Sequence, residues 1–176
     1  MMPGCGGLKM TRLLPSLIAL AALVSGCAAD SPVARPTCTP SSDSVVCAAV
    51  APMQRARVAR IVDGDTLHVE VDGRDETVRL FGINAPEVGQ PCAGEATARL
   101  RTLVGREIRL LPDARDRDRY GRLLRYVYAP DGLSIDAALV AEGLALAWRK
   151  DGALRSGIIR LEEDARDGHK GCLWDQ

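Results

Sequence analysis

Three short polar segments in the middle of the chain carry side chains able to do chemistry together: Asp63-Gly64-Asp65-Thr66, Arg79 through Asn84-Ala85-Pro86-Glu87, and Asp118-Arg119-Tyr120-Gly121-Arg122. They offer carboxylates, an amide oxygen and two guanidinium groups. Carboxylate and amide oxygens are the ligands a hard divalent cation takes, and arginine grips phosphate in a bidentate geometry that lysine cannot copy. The set suits holding a metal ion against a phosphodiester. Asp-Gly-Asp-Thr alone says little, because turns between strands use Asp and Gly for their backbone angles. Its company gives it weight.

These segments need elements to position them. Residues 57–63 are apolar and β-branched at alternate positions, and residues 66–71 alternate Leu67, Val69 and Val71 with Thr66, His68 and Glu70. Period-two patterns predict half-buried strands. With turn chemistry at 63–65 and 72–73, residues 57–80 read as a three-strand meander. Two more strands are expected at 107–111 and 123–128, with the charged residues 113–119 as a solvated loop between them. Helical spacing appears over 94–103, over 134–142 behind the capping Ser134, and over 154–166. The expected class is α+β, a five-stranded OB-fold barrel with three helices. One Phe, two Trp and three Tyr leave Val, Leu and Ile to fill it.

The first 52 residues read differently. Lys9 and Arg12 precede an apolar run over 13–24 that closes on Val24-Ser25-Gly26-Cys27. Residues 1–26 are therefore expected to be a lipoprotein signal peptide, too short for a membrane span. The small residues before Cys27 resemble a lipobox, making Cys27 the lipidated first residue of an exported chain facing periplasm or exterior. An ordinary signal peptide cleaved near Ala28-Ala29 is the alternative, and Met10 is an alternative start. Residues 27–52 read as a flexible Ser/Pro/Ala-rich tether, and residues 53–176 as one domain.

Beyond Cys5 and Cys27 four cysteines remain, Cys38, Cys47, Cys92 and Cys172. An even number in an exported chain suggests disulfides, for which four cysteines allow three connectivities. The expected pairs are Cys38 with Cys47 and Cys92 with Cys172. The chain carries 23 basic and 23 acidic residues, and loss of residues 1–26 removes Lys9 and Arg12, leaving 21 against 23. A broad basic face is excluded, so any contact with nucleic acid must be local.

In their order, and with a Gly94-Glu95-Ala96 helix start between the second and third, the polar segments resemble the thermonuclease family, the staphylococcal-nuclease-like domains. The resemblance runs from about residue 57 to 174 and takes in Leu139-Val140-Ala141-Glu142-Gly143-Leu144-Ala145 and the closing Cys172-Leu173-Trp174. It implies an OB barrel that hydrolyses DNA and RNA with Ca²⁺ to products ending in a 3′-phosphate. Position by position it implies Asp65 as first metal ligand, Asp63 as an acid close to the metal, and Arg79 and Arg122 as phosphate arginines. Glu87 matches the residue that activates or orients water, and Tyr120 a tyrosine of the nucleotide pocket. Asn84 stands where the family has an aspartate as second ligand, so weaker Ca²⁺ binding is expected.

The expected partners are DNA and RNA as substrate and a membrane through Cys27, with the protein a monomer. A catalytically inactive OB module for single strands or a protein partner is the competing reading, although such binders use aromatic platforms and basic grooves. His68 and His169 are expected to be solvated, and Trp148 and Trp174 to be packing residues.

Overall fold

Alternation of apolar and polar side chains turns one face of each strand toward a shared interior. In the computed structural model, which describes residues 45–48, 50 and 52–175, β1 (Gln54–Ile61), β2 (Thr66–Val71) and β3 (Arg74–Leu80) form the expected antiparallel meander. Asp72 and Gly73 join β2 to β3, both at positive φ (51° and 73°). That is the twist of the two-residue hairpin turns that best fit a right-handed strand pair. After the two-residue β4 (Ile83–Asn84) come α1 (Ala93–Leu103), β5 (Glu107–Arg117) and β6 (Leu123–Tyr128). β6 pairs in parallel with β3 and antiparallel with β5, and β5 returns to β1, closing a five-stranded barrel in the order β1-β2-β3-β6-β5. The α+β barrel with helices is the fold expected. α2 (Ile135–Ala141), β7 (Leu146–Ala147), α3 (Arg155–Asp167) and the single turn α4 (Gly171–Trp174) complete it.

Leu67, Val78, Leu80, Ile108, Leu110 and Val127 fill the interior with no exposure. Phe81, Tyr126 and Tyr128 are also buried, so three of the few aromatics join the aliphatic core. Ser134 caps α2 by accepting from the Ala137 N–H, an interaction worth about 1 kcal/mol.

The structure departs from the sequence reading in several places. The charged stretch at 113–119 is not all loop: β5 continues to Arg117, which pairs with Leu123 after an irregularity that follows Pro112. Its charges are answered by cross-strand partners, Asp116 by Arg125 (2.6 Å) and Arg117 by Glu76 (2.8 Å). β4 and β7 pair as a small second sheet, and α4 is a further helical turn. Val45, Val46, Ala48 and Val50, in the segment expected as tether, pack against the core. Val46 accepts from the Ser134 N–H and Gly132 accepts from the Ala48 N–H.

Cys92 and Cys172 form the expected disulfide, joining the start of α1 to α4. Cys47 is disulfide-bonded. Cys38, Cys27 and the signal segment lie outside the described residues. Among the described residues no helix is long and apolar enough to cross a membrane.

Candidate active site

The three polar segments meet. A cavity of about 750 Å³ is lined by Asp63, Asp65, Arg79, Asn84, Glu87, Tyr120 and Arg122, together with Phe81, Arg115, Trp148, Lys150 and Asp151. Asp65 sits where the loop after β1 enters β2. Its N–H donates to Asp63 Oδ1 (3.0 Å), its carbonyl accepts from the Leu80 N–H (2.8 Å), and its Oδ1 accepts from the Thr66 hydroxyl. Oδ2 accepts from the Ala85 N–H (2.9 Å). Every polar atom of Asp65 is thus committed, which fixes the carboxylate to both neighbouring segments. Gly64 makes this closeness possible, since a Cβ there would lie 2.7 Å from Ala85 Cβ.

Arg79, at the end of β3, points across the same spot. Nη1 donates to the Leu80 and Ile83 carbonyls, while Nη2 reaches Asn84 Oδ1 (3.0 Å) and Asp65 Oδ2 (3.0 Å). The guanidinium therefore occupies the space between two oxygens expected to hold a metal. Burial pushes the Asp65 carboxyl above the usual range, an effect only partly offset by Arg79 and the Ala85 N–H and reinforced by Asp63. A buried carboxylate and an amide oxygen converging on one cationic group form an all-oxygen donor set that fits a hard divalent ion. It is a lean set. Among the described residues no group of three or more His, Cys, Asp or Glu is placed to hold a metal, and one of the two oxygens converging here belongs to the Asn84 amide.

Arg122 is held by the turn that precedes it. Asp118 Oδ1 accepts from the N–H groups of Tyr120 and Arg122, and Oδ2 accepts from Arg122 Nε at 2.7 Å. Burial raises the Asp118 carboxyl, but these bonds outweigh it and hold it below the usual range. Arg122 Nη1 also approaches the Thr66 hydroxyl (3.4 Å), linking it to Asp65 through one residue. Tyr120 is 68% exposed, with Arg119 and Arg122 over its ring at 4.7 and 5.5 Å. Glu87 is exposed in the loop before α1, its N–H donating to Gln90 Oε1. Its carboxylate lines the cavity.

One wall of the cavity was not foreseen. Arg115, expected in a solvated loop, forms a bidentate pair with Asp151 (2.9 and 3.0 Å) and lies over Phe81 and Trp148. Trp148 packs against the core as expected, and it also lines the cavity and donates from Nε1 to Asp151 Oδ1 at 2.6 Å. A second support is Asp136, fully buried at the start of α2, which accepts from the N–H of Gly82 (3.0 Å) and of Val127 (2.8 Å). It braces the turn between Arg79 and Asn84.

Against this geometry stand the known proteins. A family model described as staphylococcal nuclease homologue matches residues 77–176, more than half of the chain. The chain belongs to that family. It is similar to a protein named ParB of Escherichia coli, 40% identical over 129 residues that cover 68% of this chain and 72% of the relative. A micrococcal nuclease of Shigella flexneri is 38% identical over 129 residues, 68% of this chain and 73% of that one. A thermonuclease of Staphylococcus intermedius is 38% identical over 97 residues, 51% of this chain and 57% of its own length. The chain is thus an enzyme, a nuclease with a nucleic acid substrate, in a family whose members are generally metal-dependent.

Proposed function

We propose that this nuclease is a Ca²⁺-dependent endonuclease that hydrolyses DNA and RNA to products with 3′-phosphate ends. The observation that carries the reading is the convergence of Asp65, Arg79, Asn84, Glu87 and Arg122 on one cavity. Asp65, Asn84 and Asp63 would hold the ion. When bound, it would draw charge from a nonbridging phosphate oxygen. Arg122, aimed by Asp118, binds the scissile phosphate and answers the charge that builds on its oxygens. Arg79 contributes a second guanidinium once Nη2 leaves Asp65 and Asn84. Glu87, exposed and unencumbered at the cavity rim, takes the proton of the attacking water or aims it in line. Tyr120 flanks the nucleotide.

The preference for Ca²⁺ and the 3′-phosphate rest on the family resemblance. The test is cleavage of DNA and RNA by the mature chain with Ca²⁺ and with chelator, beside Glu87→Gln, followed by end-labelling of the products. Chelator-sensitive cleavage, at least about 100-fold weaker in the variant, is expected on the scale of general base catalysis. Cleavage that survives chelation, or equal activity in Glu87→Gln, would sink the mechanism.

We also infer display as a monomer from a membrane through lipidated Cys27, supported by the lipobox-like Val24-Ser25-Gly26-Cys27. Metabolic labelling with a fatty acid, lost in Cys27→Ala, tests it, and an unlabelled wild-type chain refutes it.

A further inference from the structure

β1 carries arginines along its outer face. Ala56, Val58 and Ile61 turn toward the core, while Arg55, Arg57 and Arg60 are exposed. Strict alternation beyond Arg57 would turn Arg60 inward. It does not, because the register with β2 shifts between Val58 and Arg60: Val58 faces Val69, and Arg60 faces His68 on the outer side. Bulges of this kind re-aim side chains, and this one puts the third arginine in line with the other two. The line spans about 17 Å at strand rise. Arg60 lies three residues before Asp63 of the cavity, so the line ends beside the loop that enters the site.

Among the described residues none of these three arginines is taken up in an ion pair within the fold. Arg55 stands opposite Arg109 across the β1–β5 ladder, a like-charge juxtaposition that ordinarily destabilises a sheet. Arg57 stands opposite Glu70 and Glu107, but Glu107 approaches Arg109 instead, at 3.8 Å. Among the described residues Arg55, Arg57 and Arg60 make no ion pair or side-chain hydrogen bond. In a mature chain of slightly acidic balance, such an aligned and unpaired set marks a place for an external polyanion.

We propose that this track holds the sugar–phosphate backbone of single-stranded nucleic acid as it enters or leaves the cavity, by charge and without reading bases. Arg55 and Arg57 are about 6.7 Å apart and Arg57 and Arg60 about 10 Å apart at strand rise, in a single file that follows one extended backbone and does not straddle two. The track is narrow, which reconciles nucleic acid binding with the near-neutral net charge. The proposal rests on the nuclease reading and extends it from the bond that is cut to the strand beside it.

The experiment compares Glu87→Gln protein, in which strands stay intact, with the same protein also carrying Arg55→Gln, Arg57→Gln and Arg60→Gln. Binding of a labelled 20-nucleotide dT strand and of a dT dinucleotide is measured across a salt series, with Arg160→Gln on α3 as a control matched in charge to each arginine replaced singly. Three lost phosphate contacts on single strands should make the slope of log K against log salt shallower by about 2, and should weaken 20-mer binding about 10- to 100-fold near 0.1 M salt. The dinucleotide, too short to reach the track from the cavity, should bind both proteins alike, and the α3 control should change neither. Each arginine replaced singly should account for about a third of the slope change, so the reading does not depend on the triple variant. An unchanged 20-mer slope overturns the proposal. So does loss of binding to phosphatidylglycerol vesicles with 20-mer binding intact, which would make the track a membrane contact. A wild-type chain that cleaves no strand would instead overturn the nuclease reading beneath it, and the cleavage assay tells the two failures apart.

Discussion

Replacing Asp136 by asparagine should change how stability depends on pH, by an amount the structure sets. The carboxylate is fully buried, with Oδ1 on the Gly82 N–H and Oδ2 on the Val127 N–H. Burial pushes its pKa up to about 6, the two N–H bonds and the Arg79 charge offsetting only part of the effect. In the unfolded chain the same group titrates near about 3.9. Between about pH 4 and 6 the native state therefore holds a proton that the unfolded state has lost, so this group makes stability fall as pH rises through that window. Above about pH 6 the full cost is present, about 3 kcal/mol for a pKa raised by about two. Asparagine removes the charge but turns one accepting oxygen into an NH2 that cannot accept, leaving one of the two buried N–H groups unpaired at every pH, a constant cost of about 1–3 kcal/mol. Between about pH 4 and pH 7 the stability of Asp136→Asn relative to the wild type should therefore rise by up to about 3 kcal/mol, a relative change in Tm on the order of 10 °C. Glu76, Asp113, Asp118 and Asp151 are held below their usual ranges. They act with the opposite sign and only below about pH 4.5. Asp65 is raised, but it is common to both proteins and cancels in the difference. Thermal melts in chelator from pH 4.5 to 7.5 read the effect directly. Parallel curves, or a variant equally destabilised at every pH, would refute the reasoning.

Asn84→Asp adds a carboxylate beside Asp65 and should tighten Ca²⁺ about 10-fold or more by calorimetric titration, given that affinity follows ligand charge count; weaker binding would contradict the site. Asp118→Asn loosens Arg122 by about 1–2 kcal/mol and should raise KM on nucleic acid roughly 10-fold with little loss of kcat, whereas a lower Tm with KM unchanged would make Asp118 merely structural. Cys92 and Cys172 are 80 residues apart, so Cys92→Ser with Cys172→Ser should cost about 4 kcal/mol of stability. A Tm unmoved by that change, or by thiol reduction of the wild type, would show the cross-link to be idle.

The parts of the fold that were legible in the sequence are those where one periodicity governs. β2 alternates cleanly because one face meets the core and the other meets water, and α2 announces itself through Ser134. β5 hid its second half because residues 113–117 put charge on both faces, and a charge run normally marks a solvated loop. Only the positions of Glu76, Arg125 and Asp151, each distant in sequence, turn those charges into strand contacts. Two-residue strands such as β4 and β7 are too short for any period to show. The polar residues of the site were legible because each segment carries several of them within a few positions. The wall of Arg115, Trp148 and Asp151 was not, because its members come from separate segments and meet only when β5 passes the residues after β7. The outward turn of Arg60 depends on a single bulge, and no local pattern signals a bulge at Ala59.

Arg79 holds two commitments that compete with its proposed role on phosphate. With Nη1 on two carbonyls, it is an internal clamp for the β3–β4 turn, and with Nη2 it sits between Asp65 and Asn84. Nη2 must leave those oxygens before they can take a metal, and the donor thus freed is then available to a phosphate. Asn84 eases that exchange, because an amide holds a guanidinium less tightly than a carboxylate does. An aspartate at this position would tighten both partners, but the attraction to a divalent ion grows twice as fast as that to a single positive charge at equal distance. The metal gains more than Arg79, which fixes the direction expected for Asn84→Asp. The amide would give the proposed ion a leaner hold and Arg79 an easier release, two consequences of one missing charge.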